Sequence, residues 1–147
     1  MDKDFEEQNI KPKVGRRLTR DELFKIVFEA EILNKNIAES YAEYSRREEA
    51  LKNTNEIQFI EKYIKGISDN IDLIKSEIKG NMENWELQRI GNVERALLII
   101  STYEVLKEEL ATEIIVNEAV ELAKEYGEVK SHEFINGVLA KIIKKNR

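Results

Sequence analysis

An all-helical fold is predicted by three features of the chain: few residues that break helices, apolar residues that recur every three or four positions, and no segment that reads as a strand. One Pro and six Gly are spread over 147 residues, so long stretches lack punctuation. Phe59, Ile60, Tyr63, Ile64, Ile67, Ile71, Ile74 and Ile78 keep the helical period across a long segment. The length fits one domain, large enough to bury about 68–70% of its unfolded surface. This predicts a single helical domain over residues 16–147, preceded by a flexible arm over 1–15, where Pro12 and Gly15 discourage regular structure.

Taken in order, Thr19 opens the first helix, because Thr19-Arg-Asp-Glu22 has the form of a capping box. Leu23, Phe24, Ile26, Val27, Phe28 and Ala30 then give it a wide apolar surface. A second helix, Asn36 to Lys52, is weakly amphipathic through Ile37, Ala38 and Tyr41. The isoleucine-rich third helix ends at Lys79-Gly80-Asn81, and Trp85, Leu87 and Ile90 mark a short helix broken near Gly91-Asn92. Val93 to Leu106 forms a central apolar helix. Thr112 caps the next, which runs to Tyr126 and stops at Gly127. Ser131 caps the last. The total is about seven helices with short connections. Asn117 and Asn136 interrupt apolar faces and are expected to bond backbone at helix crossings, with Gly137 permitting close approach there.

Composition excludes much chemistry. With no Cys there is no disulfide, thiolate nucleophile or Cys-ligated metal. There is no phosphate-binding Gly-Lys-Ser/Thr loop and no Gly-x-Gly. The one histidine, His132, sits beside Ser131 at a helix start and is expected at the surface or in a cap rather than in a catalytic triad. Glu118, Glu121 and Glu125 share a helix face. Their alternatives are a solvated acidic surface or a carboxylate metal site, but the Glu-x-x-His of a di-iron bundle is absent. No catalytic residue, metal or cofactor is expected, so a binding protein is predicted rather than an enzyme. The longest apolar run, Ala96 to Ile100, is too short to span a bilayer. The acidic N-terminus is unlike a signal peptide. A cytoplasmic location and no membrane contact are expected.

The net charge of −5 conceals a division. Residues 11–20 hold five cations (Lys11, Lys13, Arg16, Arg17 and Arg20) and no acid, and the final seven residues hold four, so the rest of the chain carries a net −14. Basic ends on an acidic body predict a polyanion at the ends and a different partner on the body. The C-terminal cations also suit the dipole of a closing helix. The N-terminal cluster has no such reading, because cations at a helix start oppose the dipole.

Four motifs resemble a known family. Arg16-Arg17-Leu-Thr-Arg20 followed by Leu23-Phe24 and Phe28-Glu29-Ala30-Glu31 is similar to the opening of the NusB family of bacterial transcription antitermination factors. Trp85 through Glu104, Asn117 to Gly127 and Ser131 to Ala140 resemble its middle and its end. The likeness spans roughly residues 14–143. It implies two small helical bundles packed together. It also implies binding to the boxA element of ribosomal RNA leaders, jointly with the small-subunit ribosomal protein NusE. The pair would load onto RNA polymerase in an antitermination complex that resists premature, chiefly Rho-dependent, termination. Some relatives self-associate, so a homodimer is a further expectation.

Arg16 and Arg17 are the expected RNA contacts, as planar forks for phosphate oxygens that can also stack on bases. Arg20 has two readings, an RNA contact or a partner of Glu22 or another acid. Lys13, like Lys11, adds diffuse attraction. Phe134 matches the family's RNA-associated aromatic position, with ordinary core packing as the alternative. Tyr126 is a second aromatic candidate, or else closes a buried helix face. By the same resemblance Phe28 and Glu94 lie toward NusE, an apolar anchor and a charge, unless Glu94 merely pairs with a neighbouring cation. The rival function is a helical protein-interaction module with only secondary RNA binding.

Overall fold

The helix Asn92–Lys107 buries every residue from Ala96 through Val105, including Ser101, Thr102 and Glu104. A helix enclosed on all sides in this way must be the centre of the molecule. The computed structural model describes residues 12–82 and 90–147. Among these the chain forms seven helices: α1 Gly15–Ile32, α2 Ile37–Ser45, α3 Thr54–Asp69, α4 Ile71–Gly80, α5 Asn92–Lys107, α6 Thr112–Tyr126 and α7 Ser131–Asn146. No strand occurs among the described residues. The first three helices pack on one another, α5 to α7 form a second group, and α5 also contacts α1, α3 and α4. The all-helical, two-bundle expectation holds.

Several element boundaries differ from those the sequence predicts. α1 begins at Gly15, whose φ of 59° suits glycine. Thr19 therefore lies inside the helix, buried, and its hydroxyl donates to the Gly15 carbonyl. Glu22 accepts from the Tyr44 hydroxyl instead of completing a capping box. α2 stops at Ser45, earlier than Lys52. The long isoleucine-rich segment is two helices divided at Asn70, whose backbone leaves the helical path at φ −120°, ψ 15° and whose amide donates to the Gly66 carbonyl. The apolar period survives the break because Ile67 and Ile74, on either side of it, are both fully buried. The break carries the chain from the first group to the second: α3 packs on α1 and α2, and α4 on α5 and α7. The predicted short helix at Trp85 and Leu87, and the predicted arm as far as residue 11, lie outside the described residues.

The chain ends of the later helices also depart from expectation. Ala111 precedes α6 at the cap position, and Thr112 is its first residue. Ser131 accepts from the Glu128 N–H and closes the turn ahead of α7. Gly127 is not left-handed (φ −94°). It is glycine because a Cβ there would meet Ser131 Cβ at 2.6 Å and the Ala123 carbonyl at 2.8 Å.

Asn117, Asn136 and Gly137 are exposed, and a Cβ at Gly137 would meet nothing. These three are not helix-crossing residues. The close approach is at Gly66 of α3, where a Cβ would drive into the Tyr103 ring of α5.

Arg147 follows α7 and donates to the carbonyls of Glu104, Val105, Glu108 and Leu110. These include carbonyls that α5 leaves without an intrahelical partner at its end. Lys145 pairs with Glu77 of α4. Part of the C-terminal basic cluster therefore ties helix ends together.

Gly66→Ala is expected to lower stability by about 1–3 kcal/mol, as overpacking does, in urea unfolding. An unchanged midpoint would mean that α3 and α5 are farther apart than described.

Candidate nucleic-acid interface

The basic segment lies at the N-terminal end of α1. Arg16 and Arg17 occupy the first helical turn, which contains no acid. Both are exposed. Arg17 has no hydrogen bond or ion pair among the described residues, and it borders a shallow recess with Lys13, Glu118, Glu121 and Glu125. Arg16 rests its guanidinium over the Phe59 ring of α3, Cζ 4.2 Å from the ring centroid. Each cation opposes the helix dipole by about 0.3–1 kcal/mol; the Phe59 ring can offset that for Arg16, but Arg17 has no such contact among the described residues.

Lys13 and Arg20 are engaged within the fold. Lys13 reaches Asp21 at 2.7 Å and Glu125 at 2.5 Å and lies over the Tyr126 ring. Asp21, only 5% exposed, also accepts from the Tyr126 hydroxyl and pairs with Lys25. Burial alone would raise the Asp21 carboxyl, but hydrogen bonds from Lys13, Tyr126 and Lys25 prevail and hold it below its ordinary range. Tyr126 stacks on Phe24 at 4.9 Å. These contacts pack Tyr126 of α6 against α1.

Arg20 is 8% exposed and donates to Glu104 of α5 at 2.6 Å. The Tyr63 hydroxyl of α3 donates to the same carboxylate oxygen, also at 2.6 Å. Burial and then the Glu104 carboxylate push the Tyr63 hydroxyl well above its ordinary pKa. The acid that holds Arg20 is Glu104, not Glu22. Arg20 therefore joins α1, α3 and α5, and its side chain is not presented at the surface.

Glu94 and Phe134 line one open groove of about 700 Å³, with Ile90, Gly91 and the α6–α7 turn from Gly127 to Ser131. Glu94 accepts from the Ser131 hydroxyl at 3.2 Å. Phe134 is half-buried against the core. Val129 stands 88% exposed in the turn between them. Phe28 is half-buried on α1, its ring 5.5 Å from that of Phe24.

The comparisons with known proteins agree on one relationship. The family model described as the NusB family matches residues 17–144. The chain belongs to the NusB family. The transcription antitermination protein NusB of Fusobacterium nucleatum is 46% identical over the full length of both chains. That of Clostridium botulinum is 34% identical over 88% of this chain and all of its own. Among solved structures, a T. maritima NusB superposes with a TM-score of 0.81 at 31% identity, covering 92% of this chain and 94% of that one. A crystal structure of the antitermination factors NusB and NusE in complex with dsRNA superposes at 0.78 with 26% identity, covering 88% and 96%.

Within this NusB-family chain, sequence reading missed Phe59, Tyr63 and Asp21 as parts of the basic region. Phe59 and Tyr63 stand four apart in an apolar stripe, which reads as core. Only their contacts with α1 set them apart. Among the described residues no group of acids or histidines is arranged to hold a metal, and none of the helices is long and apolar enough to cross a membrane.

Two outcomes follow. Because folding lowers the Asp21 pKa, its stabilisation is complete above the ordinary value near 3.8 and is lost as pH falls through the lowered one. Wild type should therefore exceed Asp21→Asn in stability at pH 7, with the gap closing in acid unfolding below about pH 4. Arg20→Ala strands a buried carboxylate and is expected to cost about 3–5 kcal/mol. Replacing the whole triad, Arg20→Met with Glu104→Leu and Tyr63→Phe, leaves no buried polar group unpaired and should recover most of that in thermal unfolding.

Proposed function

We propose that this chain is a transcription antitermination factor that binds the boxA element of ribosomal RNA leader transcripts together with NusE. It then helps RNA polymerase resist premature, Rho-dependent termination, acting in the bacterial cytoplasm. The observation that carries the reading is the pair Arg16 and Arg17, both exposed at a helix start where the dipole opposes them. A polyphosphate strand is the natural complement of such a pair. NusB relatives that carry the antitermination name, and a relative solved with NusE and dsRNA, support the assignment.

Arg16 and Arg17 supply the phosphate forks in this reading. Lys13 contributes only if RNA draws it from Asp21 and Glu125, and Arg20 acts by fixing α1. Phe134 serves unstacked bases from the groove beside the α6–α7 turn. Glu94 on the same groove, with Phe28 on α1, faces NusE. The groove shared by Glu94 and Phe134 supports joint binding, since RNA and protein would then meet along one edge. The acidic body suits a basic protein better than RNA.

Fluorescence anisotropy with a boxA-containing RNA and a scrambled RNA of equal length, each with and without NusE, tests this. Preference for boxA, sharpened by NusE and lost in Arg16→Ala/Arg17→Ala, is expected. Arg17→Ala alone should reduce the slope of log affinity against log salt by about 0.7. Equal, weak binding to both RNAs with NusE present would favour a helical interaction module instead.

A further inference from the structure

Phe59 is an aromatic residue of α3 that is neither core nor free surface. One neighbour is Tyr63, its ring 4.4 Å away and stacked. Another is the Arg16 guanidinium at 4.2 Å, with Arg20 at 5.8 Å from the same ring. Tyr63 is in turn locked by its hydrogen bond to Glu104 and by an edge contact with Tyr103. The platform beneath Arg16 is thus anchored in the buried centre of the fold. Arg16 itself has no carboxylate partner among the described residues, so the ring is what restrains it.

From this geometry we infer that Phe59 is a positioning residue of the RNA site: it holds the Arg16 guanidinium over α3, oriented in advance for an RNA phosphate or base. The inference rests on the RNA-binding reading above. Its physical basis is twofold. The ring quadrupole attracts a cation on its face without neutralising it, so Arg16 keeps its full charge and donors for RNA. A carboxylate in the same place would compete with phosphate for those donors. In addition, a long side chain already ordered loses less conformational freedom when it binds. Arg17, with no such platform, would act through charge alone.

The test is a double-mutant cycle in the full-length protein with NusE and a single-stranded boxA RNA, using Phe59→Leu, Arg16→Ala and the pair. Phe59→Leu should weaken binding roughly three- to tenfold in wild type and hardly at all in the Arg16→Ala background. Phe59→Tyr, which keeps the aromatic face, should restore affinity. The Arg16 Nε–Hε resonance should be shifted by the ring in wild type and in Phe59→Tyr but not in Phe59→Leu. This readout needs no RNA, and loss of packing alone would not reproduce its pattern.

Equal losses in both backgrounds, or an Arg16 resonance indifferent to Phe59, would overturn the inference while leaving the RNA function standing. Failure of wild type to bind the boxA RNA would overturn both. Matched thermal unfolding of Phe59→Leu and Phe59→Tyr separates a packing defect from a positioning one.

Discussion

A carboxylate buried at the centre of a helical protein must be compensated, and the compensation of Glu104 organises this molecule. Glu104 is 1% exposed on α5, the helix that packs on α1, α3, α4, α6 and α7. Leaving it unpaired would cost several kcal/mol. Its oxygen accepts from Arg20 of α1 and Tyr63 of α3. Neither partner is local: they lie 84 and 41 residues away. Satisfying one charge therefore fixes α1 and α3 against α5. A better-packed apolar triad could match its stability, but it would not set the same orientation of α1.

That orientation matters at the surface. Once Arg20 points inward, Arg16, four residues earlier, lies over Phe59 on the same side of α1, while Arg17 turns toward the recess beside α6. Lys13 and Asp21 tie the segment ahead of α1 to the end of α6. The cations that looked alike in sequence thus divide into those neutralised within the fold and those left available. Charge excess alone does not make that division; burial does.

Solved family relatives 26% and 31% identical keep this architecture, which suits a fold specified by a few crossing contacts. Gly66 against Tyr103, Glu104 with its two partners, and Arg147 at the end of α5 each join elements distant in sequence. The groove beside the α6–α7 turn is different in kind. It joins Glu94 and Phe134 across an open, mostly apolar surface, the sort of surface that invites a partner.

Helical class and the central helix were legible in the sequence, because each depends on local composition or a short period. Phe59 through Ile78 were legible as helical but not as two helices, since the apolar period continues through Asn70 while the backbone does not. Thr19 and Glu22 formed a sound local signal that the fold did not use, because Thr19 is buried inside α1 and Glu22 turns to Tyr44. Asn117, Asn136 and Gly137 drew attention as oddities on apolar faces, yet they face solvent. By itself the sequence determined which segments are helical and where charge accumulates, since propensity and net charge are carried by neighbouring residues. Only the tertiary structure decided which arginine is a strut and which is exposed, because that depends on whether a carboxylate 84 residues away arrives beside it.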